Sequence, residues 1–271
     1  MIFCKELNKS FATKQEMFLA LKENKDKIIG LKKAAIKDSE PVLFFPREDK
    51  ESVKSFDPAK TVSTGDFIYP IINTTNWLDS HGDVHLDGIW DNSLKDQQGK
   101  VHYLINHELK IGSVIAYPAD VEAYAQTLNW SDLGKDVGGT TQALIFKVKL
   151  TDKANADAAN AIKDGVPLQN SVRMQYVKMD LAVDSNEKGM EAEYANFYKY
   201  LPLIANKEDA TSMGYFWAVT EAKIIKEGSA VLAGSNPMTP IFYTDPAGAG
   251  QKEQHSPVGT RKVKSNFHHL I

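Results

Sequence analysis

Three separated segments of this 271-residue chain each place one chemically capable side chain at the edge of a short apolar run. The first segment carries His107, the second Ser171, and the third Glu227, with Glu221 six residues earlier. A histidine can take the proton of a hydroxyl group, and a carboxylate can orient that histidine and stabilise its positive charge. Triads of this kind are recognised by geometry rather than by sequence order. His107, Ser171 and one glutamate therefore form a candidate catalytic set.

The residues by themselves leave ordinary roles open, because a histidine or serine at a strand end is usually structural. Ser171 lacks the Gly-x-Ser-x-Gly elbow, which excludes an α/β-hydrolase site. Side-chain direction repeats every second residue along a strand, so Glu221 and Glu227 are expected on one face. Either glutamate could then be the orienting acid, and we expect Glu227 first and Glu221 second.

A second group of residues offers a less favoured alternative, the metal site of a metal-dependent hydrolase. His81, Asp83 and His85 alternate along the chain, so on a strand they would point the same way and could hold a metal ion with His102 or His107. The alternative is a polar turn that leads into a strand. No further cluster of acids and histidines follows downstream, which favours the turn.

Composition excludes several classes of protein. The net charge of −3 implies no general affinity for nucleic acid. A single cysteine, Cys4, excludes an internal disulfide framework and a multi-cysteine zinc site. We expect no membrane span, because no apolar run reaches eighteen residues. Lys5 and Glu6 lie where the apolar core of a signal peptide would begin, so no signal peptide is expected.

Periodicity predicts an α+β protein. The helices are expected at 13–37, where Thr13 and Glu16 form a capping box, at 152–163 and within 187–213. Strands are expected at 67–72, 101–105, 143–150, 172–177 and 222–225. Many short strands with few helices favour a strand-rich core closed as a β-barrel, with the helices at its periphery.

The chain divides into three parts on composition. An N-terminal helical arm and polar connector are expected over 1–65, a body over 66–243 with a helical insertion at about 184–218, and a flexible tail over 244–271. The first helix has a basic face, which is either a solvated surface or a docking arm. Its members are Lys22, Lys25, Lys27, Lys32 and Lys33.

Motifs in the body resemble those of the tailed-phage prohead proteases, which are relatives of the herpesvirus capsid proteases. The resemblance covers roughly residues 66–243, and it depends on the order and spacing of short pieces. These pieces are Asp79 to Trp90, Asn106-His107 before Ile111-Gly112, Lys163-Asp164-Gly165 before Ser171-Val172, Glu227 to Val231, and Ser235-Asn236-Pro237.

The resemblance implies a herpesvirus-protease-like barrel and a serine endopeptidase. It implies Ser171 as the nucleophile and His107 as the general base, and we choose Glu227 as the orienting acid. The oxyanion would be held by backbone N–H groups around 234–236. No cofactor and no metal are expected.

The resemblance also implies partners and a place of action. Substrates would be the phage scaffold and major capsid proteins, and the chain itself, inside the procapsid in the host cytoplasm. A homo-oligomer is compatible with this role, whereas nucleic acid and membrane partners are not expected. The bulky Arg173 after Ser171-Val172 departs from the family pattern. It leaves open an inactive capsid or scaffold protein on the same fold.

Overall fold

The computed structural model describes residues 1–37 and 62–246 of the chain. Its helices are α1 (Lys14–Glu23), α2 (Lys25–Ala34), α3 (Asp91–Gln97), α4 (Ala156–Lys163), α5 (Glu191–Tyr200) and α6 (Lys207–Met213). Its strands are β1 (Ile2–Cys4), β2 (Lys9–Phe11), β3 (Phe67–Thr74), β4 (Asp83–His85), β5 (His102–Ile105), β6 (Val114–Ala116), β7 (Val121–Asn129), β8 (Thr140–Lys149), β9 (Gln169–Val183), β10 (Tyr215–Val231) and β11 (Ile241–Phe242). Most of the predicted connector and tail lies outside the described residues.

The long strand β10 is the centre of the main sheet. Strand β9 runs antiparallel along one side of β10. On the other side, β4 and β5 pair with successive parts of β10, both in parallel, and β6 continues the sheet from β5. A second, antiparallel sheet has the order β11-β3-β8-β7, and β1 and β2 form a separate hairpin. The topology therefore places β5, β9 and β10, together with the segments that adjoin them, in one sheet.

The prediction of a closed barrel is wrong, although the α+β assignment is confirmed. Closure requires the first and last strands of one sheet to pair. In the described part of the chain the main sheet ends at β6 on one side and β9 on the other, and the remaining strands build a sheet of their own. A list of strands read from sequence gives the strand content but does not show which strands pair, and pairing decides closure.

The N-terminal helix expected at 13–37 is present, but it is interrupted at Asn24 between α1 and α2. The capping box is confirmed in part: Thr13 Oγ1 accepts from the Glu16 backbone N–H at 3.2 Å. The Glu16 carboxylate accepts from the Ala12 backbone N–H at 3.0 Å, one residue before the cap. The β1–β2 hairpin before these helices was not predicted.

The basic face of these helices is largely paired within the chain. Lys22 and Lys25 bind Glu193 of α5, with N–O distances of 3.1 and 2.7 Å. Lys32 and Lys37 both bind Asp83 of β4. The helices α1 and α2 are thus fastened across the body by charge.

Apolar packing joins the N-terminal helices and both sheets in one cluster, which includes Met17, Leu21, Ile72, Phe146 and Trp217. Gly228 of β10 packs closely against the second sheet. A Cβ atom there would come within 2.9 Å of Ile72 Cγ2 and Phe146 Cε2, so a larger residue would require these side chains to shift. This contact sets how closely β10 approaches the second sheet next to Glu227 and Ser229.

The predicted helical insertion ends earlier than expected. Helices α5 and α6 form a second apolar cluster with part of β10, but β10 itself begins at Tyr215. Residues 215–218 therefore belong to the main sheet. Across residues 1–37 and 62–246, no helix has the length and apolar character needed to cross a membrane.

Candidate active site

His107 lies in a tight turn directly after β5. Asn106 and His107 both have positive φ angles, 51° and 57°, which non-glycine residues rarely adopt. The Asn106 N–H donates to the Ala230 carbonyl of β10 at 3.0 Å, which holds the turn against the sheet. Backbone strain of this kind is concentrated at functional sites. Here its effect is to turn the histidine back towards β10.

The ring of His107 contacts Glu227. Nδ1 of His107 lies 2.7 Å from Oε1 of Glu227, and the two side chains are 5% and 0% exposed. With a carboxylate at Nδ1, the neutral ring carries its proton there and presents Nε2 as a base. Nε2 is buried and has no hydrogen-bond partner among the described residues. Buried polar atoms are usually paired, so this orphaned atom marks a place for a substrate or nucleophile.

Ser229 completes a closed set of contacts around the carboxylate. Its Oγ donates to Glu227 Oε2 at 2.7 Å and accepts the backbone N–H of His107 at 3.0 Å. Glu227 therefore uses one oxygen for the ring of His107 and the other for Ser229. No role was predicted for Ser229 from the sequence, where it is named only within a motif. The Glu-x-Ser spacing places both side chains on one strand face, and this spacing could have indicated that role.

Ser171 lies on β9, directly opposite Ser229 in the antiparallel register. Side chains of directly opposed residues share a face of the sheet, with Cβ atoms about 5 Å apart. Ser171 thus shares the face of Ser229 and Glu227, with β10 lying between β9 and the strand before His107. No hydrogen bond joins Ser171 to His107 among the described contacts. Catalytic hydrogen bonds are often long or poorly aligned in apo structures, so this absence does not by itself exclude Ser171.

A cavity of about 280 Å³ reaches Ser171 from the outer edge of β9. Its walls come from β9, from the segment after α2, from β3 and β4 with the turn between them, and from the loop after β10. They include Ile36, Lys37, Asn73, Asp79, His81, His85, Ser171, Val172, Met174, Tyr176, Ser235 and Asn236. His107 is absent from this lining, whereas Ser171 belongs to it. Ser171 is joined to the His107–Glu227 pair through its register partner Ser229, which bonds both members of the pair.

Glu221 does not contact His107. Its carboxylate binds Lys178 and accepts from Asn92 Nδ2 at 3.0 Å. The expectation that both glutamates share a face assumed a regular strand, but β10 has register shifts around Glu221 and before Gly228, and Lys226 has a φ of 66°. Each irregularity breaks the two-residue alternation.

Arg173, the cation two residues after Ser171, lies beside His107. Arg173 Nη1 is 3.5 Å from the carbonyl oxygen of His107, to which it donates. Arg173 is two residues from Ser171 on β9, so both side chains leave the same face of the strand. The guanidinium is therefore beside the turn that carries His107.

The loop expected to hold an oxyanion already uses two of its donors. The Gly234 N–H donates to Gln169 Oε1 at 2.7 Å, and Asn236 Nδ2 donates to Thr74 Oγ1 at 2.9 Å. Ser235 and Asn236 line the cavity next to Ser171. The loop therefore lies near the serine, while its role as an oxyanion hole stays a prediction.

The alternative metal site at His81, Asp83 and His85 is not formed within the described residues, where no group of three or more His, Cys, Asp or Glu could hold a metal ion. The Asp83 carboxylate accepts from Tyr176 OH at 2.9 Å as well as from two lysines. His85 lies between Asn73 Oδ1 at 3.1 Å and Tyr176 OH at 3.0 Å. These donors and acceptors satisfy one another instead of facing an ion.

Comparison with models of protein families, with curated proteins and with solved structures found no match to this chain. The resemblance to prohead proteases therefore depends on the sequence motifs alone.

Proposed function

We propose that this chain is a serine endopeptidase with Ser171 as nucleophile, His107 as general base and Glu227 as orienting acid. One observation supports this most directly: the His107 ring is held at Nδ1 by Glu227 and leaves Nε2 unpaired, on the sheet face that Ser171 shares. A histidine held in this way is the central part of a triad.

The chemistry follows from these roles. Ser171 Oγ attacks the peptide carbonyl carbon while its proton passes to His107 Nε2. Glu227 stabilises the imidazolium that forms, and the imidazolium then gives the proton to the leaving amine. Water attacks the resulting acyl ester by the same route and releases Ser171. The Arg173 guanidinium, which donates to the His107 carbonyl, would supply positive charge for the negative oxygen of the tetrahedral intermediate.

The biological substrates belong to the proposal through the motif resemblance. They are the phage scaffold and major capsid proteins, and the chain itself, cleaved inside the procapsid. The cavity along the edge of β9 supports a polypeptide substrate, because it runs beside a strand whose backbone can pair with an extended segment.

The test is a nucleophile exchange with a matched control. Ser171→Ala is expected to abolish cleavage of scaffold and self, and labelling by a fluorophosphonate, because loss of a triad nucleophile typically costs several orders of magnitude in rate. Ser131→Ala, in an exposed turn after β7, is expected to behave as the wild type. Equal cleavage and labelling by the Ser171→Ala and Ser131→Ala variants would refute the assignment.

A second candidate is an inactive capsid or scaffold component. Two observations favour it: Nε2 of His107 is buried, and no Ser171–His107 hydrogen bond is formed in the described part of the chain. Absence of labelling and cleavage in the wild type, together with normal incorporation into procapsids, would select this candidate over the peptidase.

A further inference from the structure

The outer edge of β9 is partly covered by the chain's own N-terminal segment. After α2 ends, the Lys37 N–H donates to the Met174 carbonyl at 2.8 Å, and the Met174 N–H donates to the Lys37 carbonyl at 3.1 Å. Reciprocal bonds of this kind define a hydrogen-bonded pair in an antiparallel ladder. Residues 35–37 therefore begin an added strand on β9, and we call them the strap.

Between the strap and the start of β9, the outer edge borders the cavity at the serine. The loop after β10 covers the edge at Asn170, whose N–H donates outward to the Thr239 carbonyl at 2.9 Å. Backbone direction alternates along a strand, so the N–H and C=O of Val172 point to the same outer side as those of Asn170 and Met174. The 280 Å³ cavity lies there, lined by both Val172 and Ser171. In the antiparallel register, a strand that continued from the Lys37 position would pass Val172 and then Ser171.

Side chains also hold the strap in place. Lys37 Nζ binds Asp83 Oδ2 at 2.6 Å and lies 4.2 Å from the centre of the Tyr176 ring. Just before the strap, the Lys33 carbonyl accepts from Gln175 Nε2 at 2.9 Å. Both Tyr176 and Gln175 belong to β9, so the backbone bridge is supported by contacts to the same strand.

We infer that the outer edge of β9 from Val172 to Tyr176 is a docking edge for an extended polypeptide, and that the strap is an internal occupant that competes for it. The substrate class, an extended segment of a protein cleaved at Ser171, rests on the proposed peptidase function. The competition itself rests only on the bridge. When the strap occupies the edge, an added peptide can bind only the fraction of molecules in which the edge is free. The apparent affinity for the peptide is reduced in proportion to that fraction.

The expected effect is set by the hydrogen bonds of the bridge. One net hydrogen bond contributes about 1 kcal/mol, which corresponds to roughly fivefold in an equilibrium. Removing the Lys37 N–H should therefore raise the affinity of an added peptide by about fivefold. The probe is a fluorescein-labelled peptide copying residues 31–40, added to the full chain carrying Ser171→Ala so that nothing is cleaved.

Three further substitutions in that chain separate the causes. Lys37→Pro removes the bridging N–H and the ammonium group together. Lys37→Ala removes the alkyl chain and the ammonium group but keeps the bridging N–H. Ile36→Pro is the matched proline control, because the Ile36 N–H makes no hydrogen bond within the described residues and Ala35 before it is already extended, with ψ of 132°. Peptide affinity should rise about fivefold for Lys37→Pro relative to Ile36→Pro, and less for Lys37→Ala.

Equal affinities in the Lys37→Pro and Ile36→Pro chains, with native circular dichroism in both, would overturn the inference. If the Lys37→Pro chain does not fold, amide hydrogen exchange is measured instead on the chain that carries Ser171→Ala alone. Saturating peptide should expose the Lys37 amide to exchange while the Met174 amide stays protected, because Met174 changes partner. Continued protection of Lys37 would also overturn it.

The two proposals fail separately in this design. Peptide binding is measured without catalysis, so loss of the peptidase assignment leaves the binding result standing. If Ser171 proves to be the nucleophile, Lys37→Pro in the active chain should raise kcat/KM for an extended peptide by the same factor as the affinity. An unchanged kcat/KM in an active enzyme would reject the competition while leaving the peptidase intact.

Discussion

Nδ1 of His107 lies 2.7 Å from Oε1 of Glu227, although the two residues come from a turn and a strand far apart in the chain. The parallel register of β5 and β10 pairs Ile105 with Ala230, so the chain leaves β5 beyond the glutamate. The left-handed turn at Asn106 and His107 then reverses the chain and returns the ring to Glu227. Topology and one strained turn together create the pair.

The first prediction concerns the acid. Glu227→Gln should lower kcat by about two to four orders of magnitude with little change in KM, because the amide no longer fixes the histidine tautomer or stabilises the imidazolium. Glu221→Gln is the matched control, and it should change kcat by less than about twofold, since Glu221 contacts Lys178 and Asn92 instead. The measurement is steady-state kinetics on one cleavable peptide. A large loss in the Glu221 variant with normal turnover in the Glu227 variant would reverse the assignment.

The second prediction concerns Ser229 as a positioning residue. Ser229→Ala removes the donor to Glu227 Oε2 and leaves the His107 N–H buried without a partner, which costs about 1–3 kcal/mol of stability. We expect kcat to fall about 10- to 100-fold while KM stays constant.

Ser93→Ala is the control for stability in this experiment. The Ser93 hydroxyl accepts the Ile224 N–H of β10 at 2.8 Å, so its loss also leaves one buried donor unpaired. Urea unfolding should show similar losses for both variants, and only Ser229→Ala should lower kcat. Equal kcat values in the two variants would assign Ser229 a merely structural role.

The third prediction concerns the contact between the sheets. Gly228→Ala should destabilise the protein by about 1–3 kcal/mol, because the added methyl group would overlap Ile72 and Phe146. Gly112→Ala is the control, since a Cβ atom there meets nothing within 4 Å. Thermal unfolding measures the difference, at roughly 2–4 °C per kcal/mol for a chain of this size. Equal melting temperatures would mean that the sheets can separate at little cost.

His107 and Glu227 were selected because each lies next to or within a short apolar run, which is visible in local pattern. The structure brings the two side chains into contact, and it places Glu227 inside β10 rather than at its end. The rank of Glu221 as a second acid depended on regular alternation, which the bulge at Lys226 destroys. That bulge accompanies the close contact of Gly228 with a different sheet, and no local pattern reports such a contact.

Long-range pairing explains what else was missed. The bridge between Lys37 and Met174 joins the N-terminal segment to the serine strand, and neither segment alone indicates it. The same is true of strand pairing at the sheet edges, which decides against a barrel. The helix at 156–163, by contrast, was foreseen from its composition and its stop near Gly165, because both signals are local.

The last prediction concerns the pH dependence of stability, which depends on His85. Burial lowers the pKa of His85 to about 4, from an ordinary value of 6.5. Between these values the unfolded chain binds a proton that the native chain does not, so stability is complete above about pH 6.5 and falls as the pH falls towards 4. The loss is on the order of 3 kcal/mol over this interval. The charged groups around His85 are Asp83, Lys37, Lys32 and His81.

Asp79 opposes this dependence, so the experiment must remove it first. Burial and the neighbouring Asp83 raise the pKa of Asp79 to about 7, so stability rises as the pH falls from 7 towards 4. In an Asp79→Asn chain, urea unfolding should therefore show stability falling steadily from pH 6.5 to 4.5. Adding His85→Gln should reduce that slope to the part contributed by His81, whose pKa is also lowered by burial. The Asp79→Asn substitution keeps a side-chain oxygen that can accept from the His81 and Asp83 backbone N–H groups. If the slope is unchanged by His85→Gln, the assignment to His85 is wrong.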